Sequence, residues 1–399
     1  MIKRTLKNGI TVIFERKPIE TVTIEILVKV GSTYETKKLS GISHFIEHVL
    51  FETKTRDAGS ISAEIDKIGG EINAFTWKEN TSFFIKVPNK HFELALEVLS
   101  DIIKNPIFKE ESIERERKII LDEIKLWRDE PMYYQWILFE KALFSDNPIG
   151  NPAYGNSDSV SSMTKHDLLN FYKRYYVPDN MVISVVGNVP DVFKKVNNKF
   201  SDFFGKLSEQ DVKFKEEKTE MKELNEIRDM SHSYMIIGYR APRRSSEESY
   251  VFEIINTILG YGMSSWLFNE IRTKRGLGYG VGVNYEPGKE YGYIAAHVTT
   301  DKKKMPEVKK IILEQFQKLK SINDKQLNEA KESVAGQFIL NNEEGTKLAH
   351  LLCYWEMVDK VERVRNYLNK INSVSKSDIA KAVDKYFKDD CCIVTIEQK

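Results

Sequence analysis

Apolar and polar residues alternate from the start of the chain. MIKRTLKNGITVIFE reads as a first strand, with a turn at Asn8-Gly9. Further two-residue alternation, rich in β-branched and aromatic side chains, predicts strands over 10–15, 21–30, 71–76, 80–87 and 181–187. Apolar spacing of three and four predicts helices over 41–51, 60–68, 90–103, 110–128 and 165–175. Strands and helices in this mixture predict an α+β fold, with a largely antiparallel sheet packed with helices.

The same pattern occurs twice. TVTIEILV (21–28) falls opposite HSYMIIGY (232–239) at a shift of 211 positions, and MVISVV (181–186) falls opposite CIVTIE (392–397) at the same shift. Tyr175-Tyr176 matches Tyr386-Phe387, again at that shift. Two homologous domains are therefore expected, at 1–205 and 231–399. The stretch 206–230, dense in Lys and Glu, is read as an exposed connector. An edge strand with a short helix is the other reading of that stretch.

One helix carries chemistry. HFIEH (44–48) places His44, Glu47 and His48 at i, i+3 and i+4, on one face. Two imidazoles one turn apart can grip a zinc ion, and a carboxylate beside them can take a proton from metal-bound water. This is the inverted H-x-x-E-H form of the zinc-peptidase helix. Ile42, Phe45, Ile46, Val49 and Leu50 flank the trio, so the helix is expected to be buried. Buried His and Glu need partners.

A catalytic zinc site wants a third protein ligand and an open position. The best source is ERERKIILDEIKLW (114–127), where Glu116 and Glu123 lie two turns apart on one face. Ile113, Ile119, Ile120, Ile124 and Trp127 approximate its apolar stripe. A Glu-rich helix is also what a solvated face looks like. EINAFTWKENTSFFIKV (71–87) reads as a hairpin around Lys78-Glu79-Asn80. Its edge could pair with an extended peptide or be an ordinary edge strand. In IRTKRGLGYGVG, Arg272 and Tyr279 lie astride a Gly-containing turn. Both are good donors to developing negative charge, and both are also ordinary surface and core residue types.

HFIEH followed by E-x6-E resembles the pitrilysin/insulinase type of zinc metallopeptidase, which includes processing peptidases. GSTYETKKLSGISHFIEHVLFE, GGEINAFTWKENTSFF, YYVPDNMVISVVGNV and IRTKRGLGYGVG look like family segments, so the likeness spans nearly the whole chain. VLFETKTRD departs from the Met-Phe and Gly-rich run of many relatives. The resemblance implies one zinc per chain held by His44, His48 and Glu123, with Glu47 as general base and Glu116 as a supporting acid. It implies that Asn73 and Ala74 form a substrate-binding edge, and that Arg272 and Tyr279 bind substrate backbone and assist the oxyanion. It also implies two homologous α+β domains and a substrate chamber between two such two-domain units. A homodimer acting on short or unfolded peptides is therefore expected, with a hetero-oligomer with a paralogue left open. In the second half, Ala330 and Gln337 stand where Glu116 and Glu123 stand in the first, and SYVFEIINTIL (249–259) holds no His. That half is expected to have kept the fold and lost the metal.

Two competing functions are set against an active endopeptidase. One is a non-catalytic subunit or peptide-binding partner of a related protease. The other is a binding module with a structural zinc, which would be closed by four protein ligands. The chain of 399 residues suits two domains, and its 41% apolar and 30% charged residues suit a globular protein. Net charge is +1, so neither nucleic acid nor an anionic membrane is expected as partner. No apolar run approaches a bilayer span and no leader-like segment opens the chain, so a cytoplasmic location is expected. Cys353, Cys391 and Cys392 make no disulfide framework and no CxxC zinc site.

Overall fold

The computed structural model describes residues 1–145, 147–208, 222–388 and 390–399. Its strands are Ile2–Thr5 (β1), Thr11–Arg16 (β2), Thr21–Val28 (β3), Glu71–Thr76 (β4), Thr81–Pro88 (β5), Met181–Gly187 (β6), Lys222–Arg228 (β7), Ser233–Arg240 (β8), Gly278–Pro287 (β9), Gly292–Thr300 (β10) and Cys392–Gln398 (β11). The α-helices are Ile42–Val49 (α1), Ala58–Asp66 (α2), Phe92–Lys104 (α3), Glu110–Asp129 (α4), Pro131–Phe144 (α5), Ser157–Ser162 (α6) and Lys165–Tyr175 (α7). They continue with Val192–Phe200 (α8), Glu248–Gly260 (α9), Met305–Lys318 (α10), Asp324–Glu343 (α11), Gly345–Val358 (α12), Tyr367–Ser373 (α13) and Lys376–Tyr386 (α14). The fold is α+β, with two sheets.

The first sheet runs β1-β2-β6-β3-β5-β4 and the second β7-β11-β8-β10-β9. Without β1 the two orders are the same, strand for strand. In each, one pair is parallel (β2 with β6, β7 with β11) and the rest antiparallel. The repeated sequence pattern is therefore a repeated topology.

The chain divides into two units that do not follow the two halves. One holds the described residues of Met1–Lys125, Asn151–Lys213 and Leu340–Val361. The other holds those of Leu126–Gly150, Phe214–Ile339 and Glu362–Lys399. Each half lends the other a helix: α12 packs on β3 and β6, and α5 packs on β8 and β11. The boundaries expected from the duplication take no account of this exchange. The expected connector also differs. Residues 209–221 lie outside the described residues, and Lys222–Arg228 is a strand paired in parallel with β11. Its exposure alternates along its length, the signature of a sheet margin with one face wet.

In the first unit β3 is buried on both faces. Val22, Ile24, Ile26 and Val28 join a core with Phe45 and Ile46 of α1 and Leu96 and Leu99 of α3. Glu25 points the other way, toward α12. It is 0% exposed, and its Oε1 accepts from Ser82 Oγ (2.9 Å) and meets His350 Nδ1 (2.9 Å). In the second unit the matching interface is apolar, built from Phe139 and Leu143 of α5 against Ile236 and Val394. Gly238 is required there, because a Cβ would sit 2.6 Å from Phe139 Cζ.

Candidate metal centre

Helix α1 is short and its start is held from outside. Gly41 precedes it in the left-handed region (φ 94°), and a side chain there would strike the Tyr154 carbonyl at 2.6 Å. The Glu35 carboxylate accepts from the Gly41 N–H (2.6 Å) and the Ser43 N–H (2.9 Å), satisfying donors that the first turn leaves open. Burial pushes the Glu35 carboxyl up to about 7 against the pull of these bonds. Ile42, Phe45, Ile46 and Val49 then fix the helix in the core, and His44, Glu47 and His48 project from its other side.

Helix α4 lies beside it. Ile113, Ile120 and Ile124 are its buried apolar residues. The stripe read from sequence is narrower than expected, since Ile119 is 42% and Trp127 37% exposed. Arg117 locks α4 in register: its guanidinium sits 5.2 Å from the Phe45 ring centroid and donates to the carbonyls of Val160 and Met163, the latter at 2.8 Å. This brings Glu123 Oε2 to 3.8 Å from His44 Nε2 and 3.7 Å from His48 Nε2. Among the described residues, these three side chains are the one group of His, Cys, Asp or Glu able to hold a metal ion.

The group fits zinc on three counts. Ligand atoms about 2.1 Å from a tetrahedral ion stand about 3.4 Å apart, close to the separations here. Burial, with His48 nearby, depresses the His44 imidazole to about 3, so it is a neutral lone-pair donor. His48 Nδ1 lies 3.2 Å from Glu116 Oε2, which assigns the ring proton to Nδ1 and turns the Nε2 lone pair toward Glu123. Burial works to lower the His48 pKa. The Glu116 bond and the charges of Glu123, Glu47 and Glu116 outweigh it and raise it. Glu116 in turn is held by Arg115 Nε at 3.1 Å.

Glu47 is buried on the same helix face. Burial raises its carboxyl to about 7, while the Thr76 hydroxyl and His48 pull it down and Glu123 pushes it up. Thr76 Oγ1 donates to Glu47 Oε2 at 2.5 Å. Sequence reading missed Thr76, Glu35 and Arg117. Thr76 alone had a signal, since it shares the strand face of Ala74, two residues before it.

Asn73 and Ala74 lie on β4, the free margin of the first sheet, where the hairpin was expected. The Trp77 N–H bonds the Asn80 carbonyl (2.8 Å). By alternation, Ala74 and Thr76 present their own N–H and C=O to the open edge. The Ala74 N–H is satisfied for now by the Asn73 side-chain oxygen at 2.8 Å. In the second unit Arg272 lies in a π-helical turn, Phe268–Thr273. Its guanidinium is 5.7 Å from the ring centroid of Tyr279, which is 66% exposed. The structure thus pairs Arg272 with Tyr279 but leaves both among surface groups of their own unit.

Comparison with known proteins places this site in context. Residues 11–157 match the family model for insulinase (peptidase family M16), and residues 162–334 match that for the peptidase M16 inactive domain. The uncharacterized zinc protease YmxG of Bacillus subtilis is 30% identical over 99% of this chain and 98% of its own. An uncharacterized zinc protease of Rickettsia felis is 31% identical over 96% and 94%. The chain belongs to peptidase family M16. The M16 fold is matched in solved structures too. A protease from Helicobacter pylori superposes with a TM-score of 0.93 at 24% identity, covering 99% of each chain. A peptidase M16 inactive domain from Pseudomonas fluorescens gives 0.90 at 18%, covering 100% of this chain and 98% of that one. Within this M16 chain the metal-capable group falls in the segment matching the insulinase model. Ala330 and Gln337 fall on α11 of the second half. No helix among the described residues is long and apolar enough to cross a membrane.

Proposed function

We propose that this chain is a zinc-dependent endopeptidase that cleaves short or unfolded peptides within a chamber formed by two copies of itself. The observation that carries the reading is the convergence of His44, His48 and Glu123, with Glu47 on the same helix face. A bound zinc ion supplies a water of lowered pKa and polarises the substrate carbonyl.

The remaining steps belong to side chains. Glu47 takes the proton of the attacking water and returns it to the leaving amine. Glu116 fixes the His48 ring and its tautomer. The β4 edge at Asn73 and Ala74 pairs with the peptide main chain, which gives affinity with little demand on sequence. Arg272 and Tyr279 donate to substrate carbonyl oxygens.

The test is a quenched-peptide assay on zinc-loaded protein, with and without chelator, beside the Glu47→Gln variant. Chelation should abolish cleavage. Glu47→Gln should retain zinc and lose turnover by about a hundredfold or more. Absence of cleavage by the zinc-loaded wild type would remove the reading in favour of a non-catalytic subunit, and cleavage unaffected by either change would take zinc and Glu47 out of the chemistry.

A further inference from the structure

We propose that Thr76 is a positioning residue for the general base. Its hydroxyl ties the Glu47 carboxylate to the strand that takes the peptide main chain, so one element sets both the base and the bond to be cut. The proposal rests on Glu47 acting as base.

Three observations carry it. The Thr76 hydroxyl donates to Glu47 Oε2 at 2.5 Å within a largely buried site, where such charge-assisted bonds are strong. It holds one carboxylate oxygen and leaves Oε1 to take the proton. Next, Thr76 stands opposite Thr81, in the same alternating class of β4 as Ala74 opposite Phe83. The two residues therefore send their side chains toward α1 and their main-chain groups toward the free edge. A peptide added at that edge would bond the very residue that restrains Glu47. Finally, a glutamate has three side-chain rotors, and helix α1 restrains only its Cα. Displacing a reacting group by about 1 Å can cost about a hundredfold in rate. A strand-borne hydroxyl two residues beyond Ala74 fixes the carboxylate relative to the substrate, not only to its own helix.

The test compares Thr76→Val, which keeps shape and strand preference but removes the donor, with Thr76→Ser, which restores it. Both are assayed with a quenched peptide, titrated with zinc and melted, and crystal structures of Thr76→Val and wild type are compared. Thr76→Val should lower kcat about 10- to 100-fold. KM and zinc affinity should stay close to wild type, Tm should fall modestly for the lost buried donor, and the Glu47 side chain should be displaced in the crystal. Thr76→Ser should recover most of the rate. Wild-type kcat in Thr76→Val, equal losses in both variants, or a loss carried by KM or zinc affinity would overturn the proposal. Glu47→Gln keeps the two failures apart. If it is inactive while Thr76→Val is not, only the positioning role falls. If it turns over normally, the assignment of the base falls and this proposal with it.

Discussion

His48 meets one carboxylate through Nδ1 and another through Nε2, and that double contact makes its protonation the control point of metal binding. Its pKa is raised above 6.5, whereas burial and His48 push His44 down to about 3, so it is neutral between about pH 5 and 8. Zinc must displace the proton on His48, so affinity should fall as pH drops below that raised pKa, by about tenfold per unit. His44 should add no slope across this range. Glu116→Gln removes the carboxylate hydrogen bond that leads the influences raising His48, together with one of the three charges that add to it. The onset should move to lower pH, and zinc affinity at its high-pH plateau should weaken about 10- to 100-fold. Competition with a chelating dye from pH 5 to 8 reads both effects. An unchanged profile would reduce Glu116 to a surface contact. His44, Glu47 and His48 were legible in the sequence because helical spacing alone puts them on one face. Glu35 and Arg117 were not, because their targets are main-chain groups six or more residues away, and no periodicity encodes such a partner.

Helix α1 has only eight residues, too few to persist without tertiary support, so the groups holding its ends matter to the site. Glu35→Ala strands the Gly41 and Ser43 N–H groups in a buried setting. It should cost about 2–4 kcal/mol of stability, with weaker zinc binding because His44 sits in the first turn. Thermal melts with and without zinc measure both. The exchanged helix α12 makes a second expectation. His350 partners the fully buried Glu25, and removing it leaves an uncompensated carboxylate. His350→Ala should destabilise the protein by about 3 kcal/mol, the low end for a buried pair, because the imidazole is 34% exposed. Burial opposes the His350 charge, but the charge of Glu25 and its hydrogen bond raise the pKa above 6.5. The histidine therefore contributes its full stability below pH 6.5, and loses it as pH rises through the folded value. Wild-type Tm should fall over that window, and His350→Ala should flatten the fall. Strands such as β3 and helices such as α4 were legible because each sends apolar side chains to one face with its own period. The exchange of α5 and α12 was not, because an amphipathic helix shows that it has a partner without showing which sheet that is. Strand β7 was legible only as the alternative to a connector, for the opposite reason: KELNEIR buries so little that its composition resembles a solvated run.

At the scale of the whole chain, two sheets of one topology have diverged in what they carry. The first unit holds the metal-capable group and the β4 edge, and the second holds the Arg272–Tyr279 pair. A chain that bears both parts can complete a site with its own second unit or with that of another copy, and the homodimer proposed above commits to the second. The distinction is measurable without knowing the natural substrate. Glu47→Gln disables the zinc-bearing part and Tyr279→Phe the other. If sites are completed in trans, a mixed dimer of the two variants contains one doubly impaired site and one intact site. Random reassortment makes half the dimers mixed, so an equimolar mixture should recover about a quarter of wild-type activity. Sites completed within one chain give no mixed dimer an intact site, and the mixture then shows only the average of its parents. Subunit exchange must be demonstrated in the same sample, by differently tagged chains that co-purify. Co-purification without recovery would refute completion in trans. A chain that stays monomeric at assay concentration while cleaving peptides would dispose of the chamber as well.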